Sequence, residues 1–194
     1  EMGGYLTRIG SDNVLEAGCH VAHDCYVDDH AHLGAGVLLA GHVRVHAGAV
    51  LEAFCGAHHF TTIGRRARVG ARTPVRRDVP PYTDFRGQGS ETSPAVVGLH
   101  EEGIRAANLS PEEEKELRQA LADLFDDESA LQTRIEQLVN LGVEGEAASL
   151  CEFCQRSLQG VYGRHRELFR GKVPPEAERY LPRELLAEIR RQQR

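Results

Sequence analysis

Apolar residues recur in this chain at every sixth position. Ile9, Leu15, Val21, Val27, Leu33, Leu39, Val45, Leu51, Ala57, Ile63, Val69 and Val75 keep that spacing without a break. The residue after each anchor is often small or acidic, as at Gly10, Glu16, Ala22, Asp28, Gly34, Ala40, Gly64 and Gly70. Four positions after each anchor comes another small or β-branched residue: Cys19, Cys25, Ala31, Val37, Val43, Ala49, Cys55, Thr61, Ala67, Thr73 and Val79. One anchor every six residues would wander around the surface of an α-helix, and simple strand alternation needs a period of two. Short strands joined by tight corners satisfy the pattern. It predicts a hexapeptide-repeat parallel β-helix in which each hexapeptide is one side of a prism. The anchor then fills the interior, and the second residue leaves room at a crowded corner.

The six-residue period stops before "LSPEEEKELRQALADLF". There Ser110 reads as a helix N-cap, Pro111 as the first helical residue and Glu113 as the capping-box carboxylate. Leu117, Leu121 and Leu124 follow at helical spacing. Further helices are predicted near 128–141, 144–160 and 176–192. The expected organisation is a β-helix over 1–87, a connecting segment over 88–109 and an α-helical domain over 110–194. Cys151 and Cys154 form a lone CxxC, which without a second pair reads as a helix face.

Composition adds bounds rather than a function. Hydrophobic residues make up 41% and charged residues 27% of the 194 residues, ordinary for a globular protein. No apolar run approaches the length of a membrane span, and no signal peptide is legible at the start. Five cysteines is an odd number, read as reduced thiols and a cytoplasmic location. The opening "EMGGYLTRIG" reads as the middle of something, as if N-terminal coils were lacking.

The net charge of −6 hides a segregation. Arg65, Arg66, Arg68, Arg72, Arg76, Arg77 and Arg86 crowd one tract, while 101–128 is acidic. Such a tract is either a solvated face or an electrostatic dock for an acidic partner. Nucleic acid fits it poorly, since interleaved aromatics are missing and the chain is acidic overall.

Candidate chemistry lies in residues 19–43, where His20, His23, His30, His32 and His42 fall together. The repeat resembles that of the hexapeptide acyltransferases, which implies a left-handed parallel β-helix with three hexapeptides in each coil. On that coil His23, Gly41 and His59 stack in one column, and Asp24, His42 and Phe60 in the next. His58 stacks over Ala40. His23, Asp24, His42, His58 and His59 would therefore share one corner around a glycine gap, with His30 and His32 solvated on another side. A zinc reading is the weaker one. The hexapeptide carbonic anhydrases space two histidines five apart after a glycine, and here Gly41-His42 is followed by His46. An imidazole beside a carboxylate is a sound general base near neutrality.

"HVAHDC", "LAGHV", "HHF", "RVGA" and "DVPPY" resemble, in order and separation, the UDP-N-acetylglucosamine 3-O-acyltransferase family of lipid A synthesis, over residues 5 to about 109. The resemblance implies acyl transfer from an acyl carrier protein thioester to a sugar 3-hydroxyl, with no metal and no redox cofactor. It implies His23 as general base, Asp24 as its orienting carboxylate and Gly41 as the oxyanion N–H. Substrate binding would fall to His20, His42, His58, His59, Ala71 (limiting acyl depth) and Gln88. It also implies a homotrimer, acyl carrier protein as donor partner and a UDP-sugar acceptor. One departure stands out: where the family commonly reads "GLKRRG", this chain has "GLHEEG", with Glu101 and Glu102 in the basic places. Arg105 is a candidate replacement. An impaired or non-catalytic assembly protein on the same scaffold, or transfer to another sugar nucleotide, is the alternative reading.

Overall fold

The computed structural model describes residues 6–87, 94–125 and 130–160. Strands come in pairs of residues, one pair per hexapeptide. The first coil holds β1 (Arg8–Ile9), β2 (Val14–Leu15) and β3 (His20–Val21), and the second β4 (Tyr26–Val27), β5 (His32–Leu33) and β6 (Leu38–Leu39). The third holds β7 (Arg44–Val45), β8 (Val50–Leu51) and β9 (Gly56–Ala57), and the fourth β10 (Thr62–Ile63), β11 (Arg68–Val69) and β12 (Pro74–Val75). Two longer strands, β13 (Thr83–Arg86) and β14 (Ala95–Leu99), precede α1 (Glu101–Ala106), α2 (Pro111–Leu124), α3 (Leu131–Leu141) and α4 (Gly145–Leu158).

Every third strand pairs in parallel. The three faces of the prism are β1-β4-β7-β10, β2-β5-β8-β11-β13-β14 and β3-β6-β9-β12. Their register joins each residue to the one three hexapeptides on, as in His20↔Leu38, Leu38↔Gly56 and Gly56↔Pro74. Within each pair the first residue points out and the second in: Leu38 is 53% exposed and Leu39 is fully buried. From Val27 to Val75 all nine six-spaced anchors are buried. Each large one is worth roughly 1.5–3 kcal/mol of burial.

The second apolar series is also interior. Cys25, Ala31, Val37, Val43, Ala49, Cys55 and Ala67 are buried in the same core as the anchors, so these residues complete the filling rather than line a corner. Their small size leaves room for the anchors, and the thiols satisfy backbone oxygens. Cys25 Sγ donates to Ala40 O at 3.0 Å and Cys55 Sγ to Gly70 O at 2.9 Å. All five cysteines are free thiols, and burial pushes the Cys25 and Cys55 thiols up from their ordinary values.

The corners turn through a left-handed residue three positions after the anchor. Asp24 (φ 58°), His42 (63°) and Phe60 (65°) occupy it on successive coils, a conformation that disfavours bulky side chains. It is held because the corner peptides also pair between coils, with His42 N donating to His23 O and Phe60 N to Gly41 O.

The regular register breaks at the prism's end. After Pro80 and Pro81, β13 sits over β11 with Arg68↔Asp84, a shorter step along the chain than between the coils below, and Val79 bridges to Ile63. Val79 therefore stacks on an anchor, not on Thr61 as its place in the second series suggested. Phe85 then covers Val69. The strand β14, which pairs antiparallel with β13, and the helix α1 occupy residues that the sequence pattern leaves as connection.

Ser110 caps α2 with the full reciprocal capping box to Glu113. The helices bury Leu117, Leu121, Leu124, Ile135, Leu138 and Leu150 in a second core, to which the prism contributes Tyr82. Cys151 and Cys154 are buried on α4 in that core. Arg65 to Glu146 (2.5 Å) and Ser157 Oγ to Asp78 Oδ2 (2.6 Å) tie α4 to the prism. The predicted helix over 176–192 lies outside the described residues.

Candidate functional site

The corner between the third face and the first carries the chemistry, because the coil register lays its polar residues in two columns. His23 lies beneath Gly41 and His59, and Asp24 beneath His42 and Phe60. His23 Nδ1 is 2.9 Å from Asp24 Oδ2. Asp24 is only 11% exposed while His23 is 64% exposed, so a nearly buried carboxylate holds an imidazole that faces solvent. With Nδ1–H donated to Asp24, the lone pair of the neutral ring sits on Nε2, free to take a proton from an incoming group.

Gly41 is required by this arrangement. A Cβ there would stand 2.6 Å from His23 Cε1 and 2.7 Å from Nε2, inside van der Waals contact. Among the described residues no acceptor takes the Gly41 N–H. His42 meets the edge of His23 with ring centroids 5.2 Å apart, and its Nε2 is 3.9 Å from Asp24 Oδ2. Phe60 stacks on the far side of His42 at 4.5 Å and 13°, so one imidazole is sandwiched between a carboxylate and a phenyl ring. Ligating atoms of His23, Asp24 and His42 lie within 4.8 Å of one another, close enough to hold a cation. The His23–Asp24 hydrogen bond already occupies the best-placed pair, and that contact suits proton transfer.

His58 and His59 lie one coil above Ala40 and Gly41, their rings 5.5 Å apart. Both are half-buried. With His20 they border a groove of about 390 Å³ along the third face, floored by Leu38, Gly56 and Pro74 and closed above by Arg76. The groove was legible in principle: stepping from His20 one coil at a time gives Leu38, Gly56 and Pro74, a column that the histidine count alone did not draw attention to. Ala71 stands apart, exposed at the opposite corner of the third face, where its N–H donates to Glu52 Oε2 at 2.8 Å. Gln88 lies outside the described residues. Of the other histidines, His30 is exposed, whereas His32 is half-buried and holds Glu16 at 2.7 Å rather than standing free in solvent.

The basic tract is partly neutralised within the chain. Arg65 pairs with Glu146, Arg68 with Glu52 and Asp84, and Arg86 with Asp84. Arg77 donates to Pro94 O and lies over the Phe85 ring. The tract is therefore not a continuous positive face. Glu101 also has a partner: Arg118 grips it through both terminal nitrogens at 2.9 and 2.7 Å, which holds the Glu101 carboxyl below its usual range. Glu102 is exposed, 3.9 Å from His100 Nε2, and Arg105 is exposed on α1. Among the described residues no helix is long and apolar enough to cross a membrane.

Comparison with known proteins places this corner in context. A family model described as UDP N-acetylglucosamine O-acyltransferase, domain 2, matches residues 78–162, and a bacterial transferase hexapeptide model matches residues 6–41. The acyl-[acyl-carrier-protein]–UDP-N-acetylglucosamine O-acyltransferase of Xylella fastidiosa is 39% identical over 63% of this chain and 46% of its own length. That of Gloeothece citriformis is 32% identical over 87% of this chain and 58% of its own. The chain thus spans about half the length of the curated relatives it matches. The solved structure of LpxA from Acinetobacter baumannii superposes with a TM-score of 0.71 at 30% identity, covering 79% of this chain and 59% of that one. The shared fold is the left-handed parallel β-helix followed by helices.

Proposed function

We propose, since this chain belongs to the hexapeptide-repeat UDP-N-acetylglucosamine O-acyltransferase family, that it is an acyltransferase. In this reading it moves a 3-hydroxyacyl group from acyl carrier protein to the 3-hydroxyl of UDP-N-acetylglucosamine, the first step of lipid A synthesis. His23 Nε2 removes the hydroxyl proton as the sugar oxygen attacks the thioester carbonyl. Asp24 stabilises the imidazolium that forms. The carbonyl oxygen becomes the tetrahedral oxyanion, which the Gly41 N–H meets. Collapse breaks the carbon–sulfur bond, and the departing thiolate takes the proton back from His23.

No metal or redox cofactor enters these steps. His20, His42, His58 and His59 bind substrate around the corner, and Ala71 and Gln88 are assigned to the same task. The protein works as a cytoplasmic homotrimer, with the open third face against a neighbouring copy.

The observation that supports this reading best is the 2.9 Å contact of His23 with a nearly buried Asp24, beside a glycine that no side chain could replace. The test is transfer from acyl carrier protein thioesters to a panel of UDP-sugars by wild type and His23→Ala. The variant should lose roughly a hundredfold or more, the range of a positioned general base. Undiminished transfer removes His23 from the mechanism. A stable wild-type assembly that transfers nothing favours the non-catalytic alternative.

A further inference from the structure

The geometry points to Arg76 as the cation that holds the diphosphate of the acceptor nucleotide, in place of the basic residues that Glu101 and Glu102 displace. This rests on the proposed function and names a specificity-determining residue for it. Four observations converge on Arg76. The first is place: β12 pairs with β9 through Val75↔Ala57, which sets Arg76 one coil above His58, where it closes the groove that His20, His58 and His59 border.

The second is availability. Arg65, Arg68, Arg77 and Arg86 are each committed to carboxylates or to a carbonyl within the chain. Arg76 is exposed, and among the described residues no carboxylate pairs with it. It is also the only arginine or lysine in the groove lining. A guanidinium is permanently charged and presents a planar fork that matches phosphate oxygens bidentately.

The third is height. Val75 pairs with Ala57, Ala57 with Leu39 and Leu39 with Val21, so Arg76, the residue after Val75, lies three coil steps above the level of Ala22, beside His23. That is about 14 Å at ~4.8 Å per step. An arginine reaching down its own length closes roughly half of that. The remainder is the span of a hexose whose 3-hydroxyl meets His23 Nε2 and whose anomeric oxygen carries the diphosphate upward.

The fourth is the state of the displaced residues. Glu101 is locked to Arg118, and Glu102 projects into solvent at 82% exposure. A diphosphate held at α1 would face two carboxylates, whereas one held at the top of the groove meets a guanidinium flanked by imidazole N–H donors.

The experiment measures binding of UDP itself by calorimetry, alongside acyl transfer, for wild type, Arg76→Gln and Arg76→Lys. UDP affinity should fall tenfold or more in Arg76→Gln and less in Arg76→Lys, with unchanged thermal melts. In transfer assays the loss should lie in KM for the UDP-sugar with kcat little altered. High salt should weaken wild-type binding more than that of Arg76→Gln. Equal UDP affinity in wild type and Arg76→Gln, or no UDP binding by wild type, overturns the assignment. Transfer that persists with UDP affinity independent of Arg76 leaves the proposed function standing while this inference falls. Arg76-dependent UDP binding without transfer does the reverse.

Discussion

The prism and the helices bury apolar side chains by different means. In the prism, one buried residue predicts the next by counting: Leu33, Leu51 and Val69 lie in one interior column because each is a full coil from the next. In the helical region Leu117, Ile135 and Leu150 meet with no such rule. Their contact depends on how three helices cross, which a linear spacing does not encode. The prism is therefore a stack in which each coil templates its neighbour. The helices are an ordinary core, tied at their ends by caps and charged pairs.

Truncating a stacked anchor should give the largest effect. Leu51 is fully buried between Leu33 and Val69, and rigid coils on both sides limit collapse into the cavity. Leu51→Ala should cost about 4–5 kcal/mol, the upper part of the range for buried leucine. Leu138→Ala on α3, at 4% exposure, should cost about 2–3 kcal/mol because helices can shift to fill the space. Urea unfolding of both variants checks the ordering. Equal losses would mean that the prism relaxes as freely as the helices.

A smaller effect is expected where the helical region begins. The Ser110 side chain accepts from Glu113 N at 3.2 Å, and Glu113 returns the bond to Ser110 N at 2.8 Å. Ser110→Ala should cost about 1 kcal/mol, and Ser110→Asp should restore most of it. No corner of the prism should show such rescue, since its turns are held by peptide pairing between coils. If Ser110→Ala is neutral by thermal melting, the cap contributes nothing beyond what water supplies.

What the sequence could tell follows the same division. Six-residue spacing located the anchors, and stacking by whole coils located His23, Asp24, Gly41 and His42 on one corner. Ser110, Pro111 and Glu113 announced α2 through local hydrogen-bonding chemistry. The shift of register between Val75 and Val79 was not legible, because a register is fixed by what the chain packs on, here Ile63 beneath Val79. Nor was α1, a short helix with a glycine at its centre. The arginine tract misled for an electrostatic reason: sequence shows charges but not their partners, and Glu52, Asp84 and Glu146 come from 2 to 81 positions away. Phe54 and Phe60 in left-handed corners also defy local preference. Pairing between coils imposes that conformation on whatever residue falls there.

The smallest effect belongs to the pair that most alters the functional reading, Glu101 with Arg118. Glu101 is 51% exposed and Arg118 is also held by Glu114 at 2.8 Å, so solvent screens the attraction and a second carboxylate remains if the first is neutralised. Glu101→Gln should therefore cost about 0.5 kcal/mol or less. Arg118 holds the Glu101 carboxyl below its ordinary value of 4.5 in the folded chain. The contribution is thus complete above that value and is lost as pH falls through the lower folded one. Melts of wild type and Glu101→Gln should differ slightly at neutral pH and low salt, and converge in acid or at high salt. A difference well beyond the roughly 1 kcal/mol ceiling of exposed ion pairs, and one that survives salt, would make the pair a structural clamp. The reversal of charge at this position would then be part of how α1 is built onto α2, not only a change in what the acceptor meets.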